Sequence, residues 1–168
     1  MNNILATILK DTYSLSQLKH RLRILKSNLL KTFFGGITST SEESKPTSEV
    51  THPEDSNWLK SLPQSFYQQF NKDNVYQIFS DLEKMTTNLP ILTMYLAFEP
   101  DEATLNQLGT FVRQTFNFPL LLLDIKINPN LIAGTALVWK GIYKDYSLHA
   151  KIEEKRNEIS QGFKRFLR

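Results

Sequence analysis

The sequence predicts an α+β chain, with helices in the first half and a small sheet in the second. Three observations carry that expectation. Apolar residues recur at roughly helical spacing over residues 1–34 and again over 58–90. After Pro90 the pattern switches to short apolar runs of strand length. Two of those runs flank Lys140-Gly141, a pair with the chemistry of a tight hairpin turn. At 168 residues and 40% hydrophobic content, the chain can bury the core of one ordinary domain, or of a small domain with appendages.

Each element follows from its own stretch. Ile4, Leu5, Ile8, Leu9, Leu15, Leu18, Leu22, Leu25, Leu29 and Phe33 predict one basic amphipathic helix over residues 1–34, ended by Gly35-Gly36. Residues 35–57 are rich in Ser, Thr, Glu and Pro and hold almost no large apolar residue. Such a segment cannot repay the entropy of ordering, so it reads as a disordered acidic linker. Residues 58–90 read as a helical segment broken at Pro63, with Val75, Phe79, Leu82 and Leu89 on one face.

From Ile91 to Phe98 both parities are apolar, which predicts a buried strand. Asp101 is placed to cap a helix that carries Leu105, Leu108, Val112 and Phe116 on one face. In the next run, Leu121, Leu123, Ile125 and Ile127 are expected to face inward and Asp124 and Lys126 to face water. Residues 132–139 and 142–144 form the hairpin strands, with Gly141 supplying positive φ in the turn. Ser147 caps a last helix with Leu148, Ile152, Ile159 and Phe163 as its apolar positions. Residues 91–168 thus form an α+β domain of order strand-helix-strand-strand-strand-helix.

The net charge of +3 is unevenly spread. Residues 1–34 hold six bases against Asp11 (+5), 35–57 five acids against Lys45 (−4), and 150–168 six bases against three acids (+3). Basic ends around an acidic linker do not match a uniformly basic nucleic-acid binder. Zero cysteines exclude disulfides and thiolate metal sites and fit a reducing compartment. The longest apolar run falls far short of the roughly 20 residues of a membrane-spanning helix. The start of the chain lacks the pattern of a secretory signal. Being basic, acid-poor and amphipathic, it also admits a reading as an organelle transit peptide.

No catalytic constellation emerges. Asp145 and Ser147 read as helix-capping groups, since the local sequence sets no His or second carboxylate beside them. His20 and His149 read as members of solvated faces, and a lone His is a poor metal-site argument. Gly134 and Gly141 precede no Gly-Lys-Ser/Thr and open no helix, so they make no phosphate loop. Trp139 reads as a sheet-packing residue that would serve as an interface anchor if exposed. No catalytic residue, cofactor or metal is expected.

Residues Ile91 to Ile159 resemble the C-terminal domain of the delta subunit of F-type ATP synthase, whose mitochondrial counterpart is the oligomycin-sensitivity-conferring protein. That family runs from a hydrophobic strand through a helix and a second strand to a Pro-x-Leu-Ile-Gly-Gly hairpin, then Asp-Gly-Ser and a basic helix. Pro129, Leu131 and Ile132 match the hairpin motif, with Ala133 in place of its first Gly and Gly134 as its second. The interval from Gly134 to Asp145 has the family's length. Ser147 falls on the family's Ser, Tyr146 replaces the Gly before it, and His149 and Lys151 stand where the family tends to carry arginines. The first half departs from the family, which opens with a helical bundle of roughly 100 residues that binds the catalytic head.

The resemblance implies a non-catalytic peripheral-stalk (stator) subunit that links subunit b to the catalytic head, with the alpha subunits as a further partner. It also implies peripheral membrane association at the cytoplasmic face of a bacterial plasma membrane, or at a mitochondrial or plastid inner-membrane complex, and no nucleic-acid partner. Trp139, His149, Lys151, Lys155 and Arg156 are the candidate partner-binding residues, and Pro129, Gly134, Gly141, Asp145 and Ser147 the structural motif. The alternative is a membrane-surface or nucleic-acid-binding adaptor that uses Lys19, Arg21, Arg23, Lys26 and Lys31 of the N-terminal helix.

Overall fold

The computed structural model describes residues 2–35, 53–156, 158 and 160–162. The chain divides into two compact units, one of residues 1–12 and 16–89, the other of 13–15 and 90–168. The division at Leu89/Pro90 falls where the sequence pattern changes. The assignment of Tyr13–Leu15 to the second unit has no sequence signal.

The first unit is helical: α1 (Asn2–Leu9), α2 (Leu15–Phe34), α3 (Pro53–Ser61), α4 (Gln64–Tyr67) and α5 (Val75–Thr86). The expected single N-terminal helix is therefore two. The break falls on Asp11-Thr12-Tyr13-Ser14, residues that lose side-chain freedom in a helix or bind nearby backbone instead. Arg21 fixes the break by donating to the Asp11 carbonyl at 2.6 Å and to the Thr12 hydroxyl at 2.8 Å.

The apolar positions of both helices are buried, among them Ile4, Leu5, Ile8, Leu9, Leu18, Leu22, Leu25 and Leu29. Residues 36–52 of the expected linker lie outside the described residues, whereas 53–57 are helical, with Pro53 opening α3 and Glu54 and Asp55 in its first turn. Pro63 separates α3 from α4, and Val75, Phe79 and Leu82 are buried along α5. Phe66, Phe70 and Phe79 continue the unit's interior as adjacent ring pairs at 5.3 and 6.0 Å.

The second unit is the predicted α+β arrangement. Strands β1 (Ile91–Leu96), β2 (Leu122–Ile127), β3 (Thr135–Trp139) and β4 (Ile142–Asp145) form a mixed sheet of order β2-β1-β3-β4. Helix α6 (Glu102–Phe116) makes the crossover between the parallel pair β1 and β2, as a parallel connection requires, while β1/β3 and β3/β4 are antiparallel. Asp101 caps α6 by accepting from the Thr104 N–H at 2.8 Å.

The core of this unit holds Leu92, Met94, Leu96, Val112, Leu121 and Leu123, with Leu105, Leu108, Phe116, Ile125, Leu137 and Trp139 packed against it. The alternation predicted for β2 holds only in part. Leu122 is fully buried as well as Leu121 and Leu123, and Ile127 is exposed at the strand's end. The last helix, α7 (Leu148–Glu154), begins at the predicted cap, whereas Ile159 and Phe163, two of its expected apolar positions, lie outside the residues whose side chains are described.

Candidate interaction surface

The hairpin and the start of α7 form one hydrogen-bonded corner. After β2 a 3-10 turn, Pro129–Leu131, buries Leu131. Ile132 then adopts φ 65° and ψ −55°, and the Ala133 N–H donates to the Leu131 carbonyl at 2.7 Å. This is a γ-turn of the rare positive-φ form, strained for a β-branched residue. Gly134 follows at φ 84°. A Cβ there would meet the Tyr146 carbonyl oxygen at 2.7 Å, so both the conformation and the close approach require glycine. Tyr146 N–H donates to Thr135 O at 2.9 Å and Leu148 N–H to Ala133 O at 2.8 Å, which ties the γ-turn to the start of α7.

The turn between β3 and β4 has positive φ at both central residues, 49° at Lys140 and 79° at Gly141, the signature of a type I′ hairpin. Beyond it, Tyr143 hydroxyl donates to Asp145 Oδ2 at 3.1 Å, Asp145 Oδ1 accepts from Ser147 N–H at 2.8 Å, and Ser147 Oγ accepts from Ala150 N–H at 3.1 Å. Hydrogen bonding from Ser147 holds the Asp145 carboxyl below the ordinary aspartate value, with further help from the Tyr143 hydroxyl and the charge of nearby His149. Ser147 itself is fully buried. These contacts give Asp145 and Ser147 a capping role. They assemble no nucleophile with a base.

On this hydrogen-bonded corner several large apolar side chains are exposed, those of Ile142 and Tyr143 on opposite faces of β4. Ile132, Ile142, Tyr143, Tyr146, Leu148 and Ile152 are all exposed, Ile142 by 62% and Ile132 by 58%. β4 is a sheet edge, exposed along its whole length. Beside it a groove of about 190 Å³ is lined by Phe116, Leu137, Trp139, Ile142, Lys144 and Tyr146. Its lining is three aromatic residues, two aliphatic ones and one cation, Lys144. That composition suits an apolar side chain from a partner.

The candidate partner-binding residues fall into two groups. Trp139 packs on Phe116 at 5.1 Å and Phe118 at 5.7 Å, so it is a sheet-packing residue with one face on the groove rather than a free anchor. His149, Lys151, Lys155 and Arg156 are exposed on or just after α7, and Arg156 pairs with Glu153 at 3.6 Å. Sequence reasoning passed over the exposed set Ile132, Ile142, Tyr143 and Tyr146, because strand periodicity assigns a side chain to a face without saying whether anything covers that face.

His20 keeps 42% of its side chain exposed and also gains a partner from α3. Its Nε2 lies 3.1 Å from Asp55 Oδ1, part-buried against α3. Two other bases of α2 also have neighbours within the first unit. The Arg21 guanidinium stands 5.0 Å from the Trp58 ring centre, and Lys26 Nζ lies 3.9 Å from Glu83 and 5.8 Å from the Phe79 ring. Farther along, Arg23, Lys26, Ser27, Leu30, Lys31, Phe34 and Tyr76 line an open groove of about 490 Å³ with an apolar floor and a basic rim.

Among the described residues no group of three or more His, Cys, Asp or Glu is placed to hold a metal ion, and no helix is long and apolar enough to cross a membrane. Comparison of the chain with known protein families and with curated sequences finds no match.

Proposed function

We propose that this chain is a non-catalytic peripheral-stalk subunit of a rotary F-type ATP synthase, linking subunit b to the catalytic head. The observation that carries the reading is the hairpin–α7 corner, where a hydrogen-bonded backbone presents Ile132, Ile142, Tyr143, Tyr146, Leu148 and Ile152 to solvent beside an aromatic groove. A stator part resists torque through grip and stiffness rather than chemistry, and a rigid scaffold with an apolar outer surface supplies both. From Ile91 onward, the order and spacing of motifs resemble the C-terminal domain of the delta family, which gives the reading its partner: the helical end of subunit b. The bases His149, Lys151, Lys155 and Arg156 then steer an acidic partner towards the corner more than they tighten it.

The groove of α2 and Tyr76 supports a second contact, to the alpha subunits of the head. Its apolar floor and basic rim fit an amphipathic helix whose stripe is bordered by acids. The adaptor alternative, in which the N-terminal helix binds lipid or nucleic acid, is weakened because the Arg21 guanidinium is already engaged by the Asp11 carbonyl and the Thr12 hydroxyl inside the unit. As a stalk part the chain would work as a peripheral subunit at the cytoplasmic face of a bacterial plasma membrane, or at a mitochondrial or plastid inner-membrane complex. Affinity purification from a native membrane extract tests the assignment. Catalytic-head and stalk subunits are expected to come down with the tagged chain, and their absence from a stable eluate overturns it.

A further inference from the structure

Tyr13 and Ser14 lie between α1 and α2 and Leu15 opens α2, yet all three belong to the sheet unit. The Leu123 N–H donates to the Tyr13 carbonyl at 2.8 Å, and Ser14 makes a parallel bridge with Leu123. Tyr13 and Ser14 therefore lie along the outer edge of β2, joined to it through a single bridge, with Ser14 buried. On α6 the Tyr13 ring lies against Gly109, where an added Cβ would come within 2.3 Å of it. One turn on, the Arg113 guanidinium stands 4.6 Å from the ring centre, while Arg113 Nε donates to the Leu121 carbonyl at 3.0 Å, which fixes the guanidinium.

A glycine inside a helix is unfavourable relative to alanine. Gly109 has no positive φ to account for it, and the close approach of the Tyr13 ring does. Backbone pairing, a ring slot and a fixed cation together select an extended segment that carries an aromatic residue.

We propose that the outer edge of β2, with Gly109 and Arg113, is a docking seat for an extended Tyr-Ser segment, filled here by the chain's own Tyr13 and Ser14 and able to take the same segment from a second copy of this chain once its own is released. This is strand addition to a sheet edge, in which main-chain bonds give affinity and the ring slot gives selectivity. It does not depend on the stalk reading.

Hydrogen exchange on the full chain tests it. In Tyr13→Ala, exchange at the Leu123 amide, which donates to Tyr13, is expected to rise on the order of tenfold or more. The Leu122 amide, which donates to Pro90 on the other side of the strand, and the β1/β3 amides are expected to stay as protected as in the unaltered chain, which shows the sheet intact. An acetylated and amidated peptide of residues 10–17 should then restore Leu123 protection saturably. It should fail to do so when its own Tyr is replaced by Ala or when Gly109→Ala is added to the chain, and it should not bind the unaltered protein, whose seat is filled. If Tyr13→Ala loses the β1/β3 protection as well, Tyr13→Leu is read in the same way. Unchanged Leu123 exchange in a variant with an intact sheet, or a peptide that restores nothing, overturns the proposal.

Discussion

At Ser147 a backbone N–H donated to Asp145 Oδ1, a hydroxyl oxygen that accepts from the Ala150 N–H, and full burial converge on one small residue. Ser147→Ala leaves the Ala150 N–H without its partner and should cost about 1 kcal/mol, read as a lower midpoint in urea with an unchanged slope. The two corner glycines separate strain from collision. Gly134→Ala should cost more than about 2 kcal/mol, because positive φ is joined by contact with the Tyr146 carbonyl. Gly141→Ala suffers the φ penalty alone, since nothing lies within 4 Å of the added carbon, and should cost roughly 1 kcal/mol. Equal costs would show that the close approach at Gly134 is not tight.

Asp145 supplies a pH dependence whose sign follows from its lowered folded-state pKa. Its contribution is present above the unfolded-state value, about pH 4, and is lost as pH falls through the lower folded value. Asp145→Asn keeps an acceptor for the Ser147 N–H and removes the titration. The melting temperature of the variant should therefore fall less steeply below about pH 4 than that of the unaltered protein. An identical acid limb in both would mean that Asp145 does not contribute.

At the scale of elements, the second unit was largely legible and the first only partly. Strand, crossover helix, hairpin and last helix were predicted in order, because Pro90, Asp101, Lys140-Gly141 and Ser147 each punctuate the chain through a local backbone preference that needs no tertiary information. The break between α1 and α2 was not legible. Asp11 to Ser14 interrupt a continuing apolar spacing only weakly, and what fixes them there is Arg21, together with a bridge from Ser14 to Leu123, far along the chain. The pairing of His20 with Asp55 was likewise not legible, because nothing local in either stretch joins them.

Strain at Ile132 was also invisible, since positive φ is written into sequence only when glycine occupies the site. It leads to a prediction that divides stability from function. Ile132→Gly should raise stability by about 1 kcal/mol through relief of the γ-turn, with little lost burial, yet weaken partner binding if the exposed side chain is part of the grip. Trp139→Ala should instead lose roughly 2–3 kcal/mol of stability with the Phe116 and Phe118 contacts, and weaken binding too because one of its faces lines the groove. Thermal melts and binding measured on the same preparations would separate a residue that only grips from one that also packs.

For the molecule as a whole, the stalk assignment rests on the hairpin–α7 corner as the interface. Its motif residues were readable in the sequence, but its exposed side chains were not, because exposure depends on what α6 covers and on β4 lying at the sheet edge. The most direct measurement is calorimetric titration of the full chain with the C-terminal helical segment of subunit b from the same organism, for the unaltered protein and for Ile142→Asp with Tyr146→Asp. Both substituted side chains are exposed, so the melt should move little while the partner's apolar stripe meets two buried charges. Saturable binding is expected from the unaltered chain, with at least a tenfold loss in the doubly substituted one and its fold retained. Absence of saturable heat from a folded chain, or equal affinity in the two proteins, would contradict the stalk assignment.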